Sequence, residues 1–221
     1  MSIVENLSDA VQRGRVTDVL SAIDEGLSVG LSAQEMLDQG LLQGMSLLGA
    51  RFKNNEVFVP EVLLSARALN RGLDVLKPYL TETGAEARGL AVIGSVKGDL
   101  HDIGKNLVKM MLQSAGFEVV DLGVDVSDEQ FAEAVRDYHP DILCLSSLLT
   151  TTMAQMKLVI EAVVATGLRD KVKILVGGAP VTATLAAAIG ADGYAPDAVS
   201  AAGLATGVLG PNSKLWTEAA R

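Results

Sequence analysis

The spacing of apolar residues changes character part-way along this chain, and that change constrains the fold more than any other feature. Up to about residue 80, apolar residues recur every three or four positions, the spacing of one helix face. Val59, Val62, Leu63, Ala66, Leu69, Leu73, Leu76 and Leu80 make the clearest stripe, with Pro60 suited to its first turn and Pro78 marking its end. Ser32-Ala33-Gln34-Glu35 reads as a capping box opening a helix that runs to about Phe52. Shorter helical patterns at 3–13 and 16–27 complete a four-helix bundle. Residues 81–88 are polar and small and carry no period. Beyond them, β-rich runs at 90–95, 118–122, 141–146, 172–176 and 191–194 alternate with helical stretches at 104–115, 128–138, 152–166, 181–189 and 197–208. Such alternation implies right-handed βαβ units and a doubly wound, five-stranded parallel sheet. The expected organisation is a helical domain over 1–82, a linker over 83–88, an α/β domain over 89–210 and a tail over 211–221.

A chain of 221 residues suits one large domain or two small ones, and its single cysteine, Cys144, cannot close an internal disulfide. A reducing cytoplasm is the expected compartment. Lys and Arg number 18 against 27 Asp and Glu, and the net charge of −9 argues against nucleic acid as partner. No apolar run approaches the roughly 20 residues of a membrane span. The start, Met1-Ser2-Ile3-Val4-Glu5, lacks the basic-then-apolar order of a secretory leader. The ligand is expected to be small, or the partner a protein.

Doubly wound sheets bind ligands beyond the carboxyl ends of their strands, so loops 96–104, 123–127, 147–152 and 177–181 are the candidates. The first contains His101, one of only two histidines. One imidazole nitrogen can ligate a metal while the other donates to a carboxylate, and both Asp99 and Asp102 stand close enough in sequence to serve. Alone, a histidine in an Asp-rich loop is more often solvated or turn-capping. Gly94, Gly98 and Gly104 match neither the dinucleotide fingerprint nor a phosphate loop, which leaves nucleotide hydrolysis without support. The third loop offers five hydroxyls, from Ser146 to Thr152, either to cap the next helix or to line a polar slot. Gly177-Gly178 lets the fourth loop turn sharply or lets a flat ligand approach the backbone. His139 reads as a surface residue, Cys144 and the helical methionines as core, and Trp216 as part of a polar tail.

Together these residues resemble a known family. Asp99-Leu100-His101-Asp102-Ile103-Gly104 fits D-x-H-x-x-G and continues through Lys105-Asn106 to Val120-Asp121-Leu122-Gly123-Val124-Asp125-Val126; Ser146-Ser147-Leu148 fits S-x-L; Gly177-Gly178 fits G-G. The chain resembles the corrinoid proteins of methylamine, methanol and O-demethylase methyltransferase systems and the cobalamin module of methionine synthase. Gly44-Met45, Gly49 to Phe52 and Val57 to Val62 resemble its helical cap, so the likeness spans roughly residues 30–195.

The resemblance implies cobalamin or a related corrinoid, bound base-off with His101 as lower axial ligand to cobalt. It implies that Asp99 accepts the second N–H of His101 and that Thr152 completes the relay, where methionine synthase has a serine. Gly98, Asp102 and Ile103 would border the cofactor. Ser146, Leu148, Thr150, Gly177 and Gly178 would line the slot for its nucleotide tail, with Gly104 leaving room. Phe52 and Val59 match apolar cap positions, and Asp38 aligns with a cap glutamate one carbon longer. The implied function is a methyl carrier that accepts a methyl group on Co(I) from a substrate-specific methyltransferase. A second methyltransferase, acting on a tetrahydrofolate, a tetrahydropterin or a thiol, would receive it, and a corrinoid-reactivating protein would restore the carrier. The chain is not expected to turn over alone, nor to bind nucleic acid or membrane. The small subunit of an adenosylcobalamin mutase and a cobalamin-dependent sensor are the alternatives. The cap and Lys105-Asn106 disfavour the first, and the lack of a basic recognition helix disfavours the second.

Overall fold

The computed structural model describes residues 2–82 and 87–209, apart from the side chains of 81 and 82. Residues 83–86 of the expected linker, and the tail over 211–221 with Trp216, lie outside the described residues. The chain divides into two compact units, Met1–Glu86 and Ala87–Arg221, each described by itself.

The first unit is helical. Helix α1, Ile3–Gln12, opens on a full capping box from Ser2 to Glu5, and α2 spans Val16–Ser28. Helix α3 covers residues 33–53, and Ser32 caps it by accepting the Glu35 N–H at 3.1 Å. It is not the plain helix that the pattern suggests, because Met36–Leu42 is wound as a π-helix. The wider turn accommodates a five-residue step between Met36 and Leu41, so that both are buried along with Met45 and Leu48. Helix α4, Val59–Glu82, continues past Pro78 rather than stopping there. Proline's fixed φ is itself helical, and the N–H it lacks removes a single intrahelical hydrogen bond, the one to the Asp74 carbonyl, which the rest of the 24-residue helix outlasts. Its buried face is Val62, Ala66, Ala68, Leu69, Leu76 and Leu80, with Gly72 set against Val19, Leu41 and Ile23. Leu63, expected inside, is exposed, and Leu73 is half-buried. Small residues at 68 and 72 let the neighbouring helices come close, and that turns the stripe.

The second unit is the expected sheet. Strands β1 (Leu90–Ser95), β2 (Glu118–Asp121), β3 (Ile142–Ser146), β4 (Lys173–Gly177) and β5 (Gly193–Ala195) alternate with α5 (Ile103–Ser114), α6 (Asp128–Tyr138), α7 (Met153–Ala165), α8 (Ala183–Ile189) and α9 (Ala198–Leu209). All pairings are parallel, in the order β2-β1-β3-β4-β5. Alternate residues feed two cores, Val92, Leu143, Leu145, Ile174 and Val176 on one face and Ala91, Ile93, Ile142, Cys144 and Leu175 on the other. Burial pushes the Cys144 thiol up to about 12, so it behaves as a small apolar group. His139 closes α6 in the left-handed conformation at φ 49°, just before Pro140. The strand order reverses direction between β1 and β3, the switch point at which sheets of this order hold ligands. Register aligns Ser95, Ser146, Gly177 and Ala195 across that carboxyl edge, a polar or small residue on each strand.

Candidate functional site

The loops after β1 and β3 meet at a single carboxylate. Asp99 is wholly buried, yet both of its oxygens are engaged. Oδ1 accepts the His101 backbone N–H at 3.0 Å and lies 2.8 Å from His101 Nδ1. Oδ2 accepts the Leu148 N–H at 2.6 Å and the Thr152 hydroxyl at 3.1 Å. Burial by itself would push this carboxyl up; the Leu148 and His101 N–H groups, the His101 ring and the Thr152 hydroxyl outweigh it and hold it at about 2. Asp99 is therefore ionised at neutral pH and can only accept, so Nδ1 carries the imidazole proton and Nε2 presents its lone pair. The imidazole side chain is 50% exposed, which leaves that nitrogen open to a ligand. Of the two candidate carboxylates, Asp99 is the partner; Asp102 instead accepts the Asn106 side-chain amide at 3.1 Å.

The relay extends further than the sequence motifs indicate. Ser147 is fully buried, with Oγ 2.8 Å from Thr152 Oγ1 and 3.2 Å from the Leu149 carbonyl. Thr152 Oγ1 has two acceptors in reach, Asp99 Oδ2 at 3.1 Å and the Leu149 carbonyl at 3.0 Å; while its proton lies on Asp99, Ser147 is the group able to donate to Thr152. Ser95, also fully buried, donates to the His101 carbonyl at 2.7 Å. Lys105, in the first turn of α5, is buried against Asp121 at 2.7 and 2.8 Å, tying that helix to the end of β2. Burial would raise the Asp121 carboxyl, but the Lys105 ammonium and the Gly123 N–H keep it below its ordinary value. Ser95 and Ser147 were detectable only as polar residues at the ends of apolar strands.

The other expected residues fall into three places. Gly98, Ile103 and Gly104 share the His101 loop and the start of α5; Ser146, Leu148 and Thr150 follow β3; Gly177 and Gly178 follow β4. Gly178, at φ +128°, packs so closely on Ser147 that the third and fourth loops are in contact. Thr150 is exposed on its loop. Phe52, Val59 and Asp38 belong to the helical unit. There Phe52 is half-buried, Val59 is exposed beside Phe58, Leu63 and Leu64, and Asp38 accepts from the Gln34 amide at 2.9 Å.

Large apolar side chains stand exposed in the loops around His101, Leu100 at 71% and Ile103 at 80%, with Leu148 and Leu149 on the other loop. Comparison with known proteins identifies the family. Family models described as B12 binding domains match residues 89–203 and 3–77. The chain belongs to the corrinoid proteins of methyltransferase systems. Over 208 residues it is 40% identical to the dimethylamine corrinoid protein of Methanosarcina barkeri, covering 94% of this chain and 97% of that one. Among solved structures, a cobalamin-binding protein from Desulfitobacterium hafniense DCB-2 superposes with a TM-score of 0.81 at 30% identity, over 95% of this chain and all of that one. The methanol:cobalamin methyltransferase complex MtaBC from Methanosarcina barkeri contains a chain that superposes with a TM-score of 0.82 at 28% identity, over 96% of this chain and 81% of that one.

The residues of this corrinoid protein fit such a group. Among the described residues no three His, Cys, Asp or Glu side chains gather as a metal site. A lone imidazole suits a metal whose other positions are filled by a macrocycle. Exposed leucine and isoleucine beside it suit the apolar face of a ring. Gly104, in the first turn of α5, has no atom within 4 Å of where a Cβ would stand, so the open space beside it is bounded by solvent rather than by packing. Among the described residues no helix is long and apolar enough to cross a membrane.

Proposed function

We propose that this chain is a methyl carrier, holding a base-off corrinoid through His101 and exchanging a methyl group between two methyltransferases. The observation that carries the reading is the buried acceptor behind the imidazole. An ionised Asp99, fixed by four donors, keeps the proton on Nδ1 and the lone pair on Nε2. When bound, the corrinoid supplies a cobalt that takes up a methyl group and yields it to a nucleophile. The protein's part is to hold and orient it. His101 supplies the axial nitrogen; Asp99, with Thr152 and Ser147 behind it, sets the tautomer and raises the basicity of that nitrogen. Leu100, Ile103, Leu148 and Leu149 supply apolar contact, and Ser146, Thr150, Gly177 and Gly178 are the candidates for the nucleotide tail. Phe52 and Val59 are the candidates from the helical domain, as the family resemblance implies. A relative named for dimethylamine makes methylated amines the first donors to test, with a substrate-specific methyltransferase as the first partner. The second methyltransferase, the reactivating protein and a cytoplasmic location complete the proposal.

Reconstitution tests it. The purified chain mixed with cobalamin should give the visible spectrum of a base-off, histidine-ligated corrinoid. His101→Ala should keep the fold, since half of this side chain is already in solvent, and lose the histidine-ligated bands. An unchanged spectrum in that variant would remove His101 from the metal.

Gly104→Ala gives a second check. Alanine is the better helix former by up to about 1 kcal/mol, and its methyl meets no protein atom. The unloaded variant should therefore unfold at the same or higher urea concentration, while its affinity for cobalamin falls. Equal affinity would mean that the space beside Gly104 is not used by the cofactor.

A further inference from the structure

The turn that carries Asp99 is gripped from outside by Asp125, a residue that the relay does not include and to which the sequence motif that contains it assigns no role. Asp99 N–H donates to the Val96 carbonyl at 3.0 Å, closing a turn with Gly98 at its third position and φ +79°, where a positive φ calls for glycine. Asp125 Oδ1 accepts the Gly98 N–H at 2.6 Å, and the Asp125 N–H donates to the Asp99 carbonyl at 3.0 Å. One residue thus holds both ends of the Gly98–Asp99 segment. Asp125 does so from φ +56°, a region that glycine enters freely and other residues enter at a cost. Glycine would suit this backbone better, so what aspartate adds here is its carboxylate.

The grip stands on a fixed base. Ser95 N–H donates to Gly123 O and Val126 N–H donates to Ser95 O, both at 3.0 Å, which ties the segment after β2 to the end of β1. Gly123 N–H in turn donates to Asp121, whose carboxylate holds the buried Lys105. We propose that Asp125 is a positioning residue for His101: by fixing the main chain at Gly98 and Asp99 it sets where the Asp99 carboxylate meets the imidazole. Only the last step, the effect on metal ligation, rests on the corrinoid reading; the first is a property of the unloaded protein.

Asp125→Gly and Asp125→Asn separate this role from mere stabilisation. Glycine relieves the backbone and removes the acceptor, whereas asparagine tolerates the same φ and keeps one accepting oxygen. In unloaded Asp125→Gly, the Gly98 amide should exchange about tenfold faster, and the His101 ring nitrogen shifts in 15N NMR should move away from the Nδ1–H tautomer, with no fall in thermal midpoint. In cobalamin-loaded protein the ratio of histidine-ligated to unligated corrinoid should fall about tenfold. Asp125→Asn should restore most of each change. Unchanged ring shifts in Asp125→Gly, an asparagine variant that behaves as the glycine one, or changes that track only a lower thermal midpoint would each overturn the assignment. If wild-type protein bound cobalamin without histidine ligation, the proposed function would fail, while the ring shifts of the unloaded protein would still decide the role of Asp125.

Discussion

Asp99→Asn should weaken histidine ligation 10–100-fold and cost about 3 kcal/mol of stability, although the two side chains have nearly the same shape. The carboxylate accepts two hydrogen bonds on each oxygen. An amide keeps one accepting oxygen and turns the other position into a donor. With the NH2 group on the Oδ2 side, it faces the Leu148 N–H; on the Oδ1 side, it faces the His101 N–H. Either orientation sets a buried backbone donor against another donor. In the second orientation the amide also donates to Nδ1, which moves the ring proton to Nε2 and removes the lone pair a metal needs. In the first, the imidazole keeps its tautomer but loses its anionic partner, and Nε2 becomes a poorer donor.

The stability cost should depend on pH in a defined direction. Asp99 titrates at about 2 in the folded protein, against an ordinary value of 3.8. A depressed folded pKa gives stability that is fully present above the unfolded value and lost as pH falls through the folded one. For this carboxylate that contribution is about 2 kcal/mol near neutrality. The urea midpoints of wild type and Asp99→Asn should therefore lie far apart at pH 6 and draw together between about pH 4 and pH 2. A gap that stays constant down to pH 2 would mean that the carboxylate's charge is not what its neighbours stabilise.

Much of this architecture was legible in the sequence, for specific reasons. Buried parallel strands read as short apolar runs between helical periods, and the five strands fall where those runs are. What the sequence left open was settled by geometry at longer range. Asp99 stands two residues before His101 and Asp102 one residue after it, so nearness along the chain would favour the wrong one; the turn from Val96 to Asp99 selects the first, and the start of α5 directs the second to Asn106. Ser95, Ser147 and Asp125 acquire partners only because β1, β3 and β4 end in register and the loop after β2 folds back on β1, and no local pattern encodes that. The π-helical turn in α3 depends on which residues the neighbouring helices bury, which no local period encodes, and α4 runs through Pro78 because proline's φ is helical and only one hydrogen bond is lost there.

Gly178→Ala should destabilise the α/β unit by about 3–5 kcal/mol, an unusually large effect for one methyl group. At φ +128° the backbone lies where side chains are strained, whatever the space. Here the space is lacking too. A Cβ on Gly178 would overlap the carbonyl oxygen of Ser147 and stand 2.7 Å from its carbonyl carbon, and main-chain atoms cannot rotate out of the way. Nor can the loop retreat as a whole. Ser147 N–H is bound to the Gly177 carbonyl at 3.1 Å, its hydroxyl supports Thr152, and the next residue gives Asp99 its shortest hydrogen bond, from the Leu148 N–H. Relief of the clash must pull at least one donor from the Asp99 carboxylate, so damage begun at the fourth loop should reach His101 through the third. The variant should unfold at lower urea, and at temperatures where it remains folded its His101 ring shifts should depart from those of wild type. A destabilised variant with unaltered ring shifts would show that the glycine contact and the relay are mechanically separate.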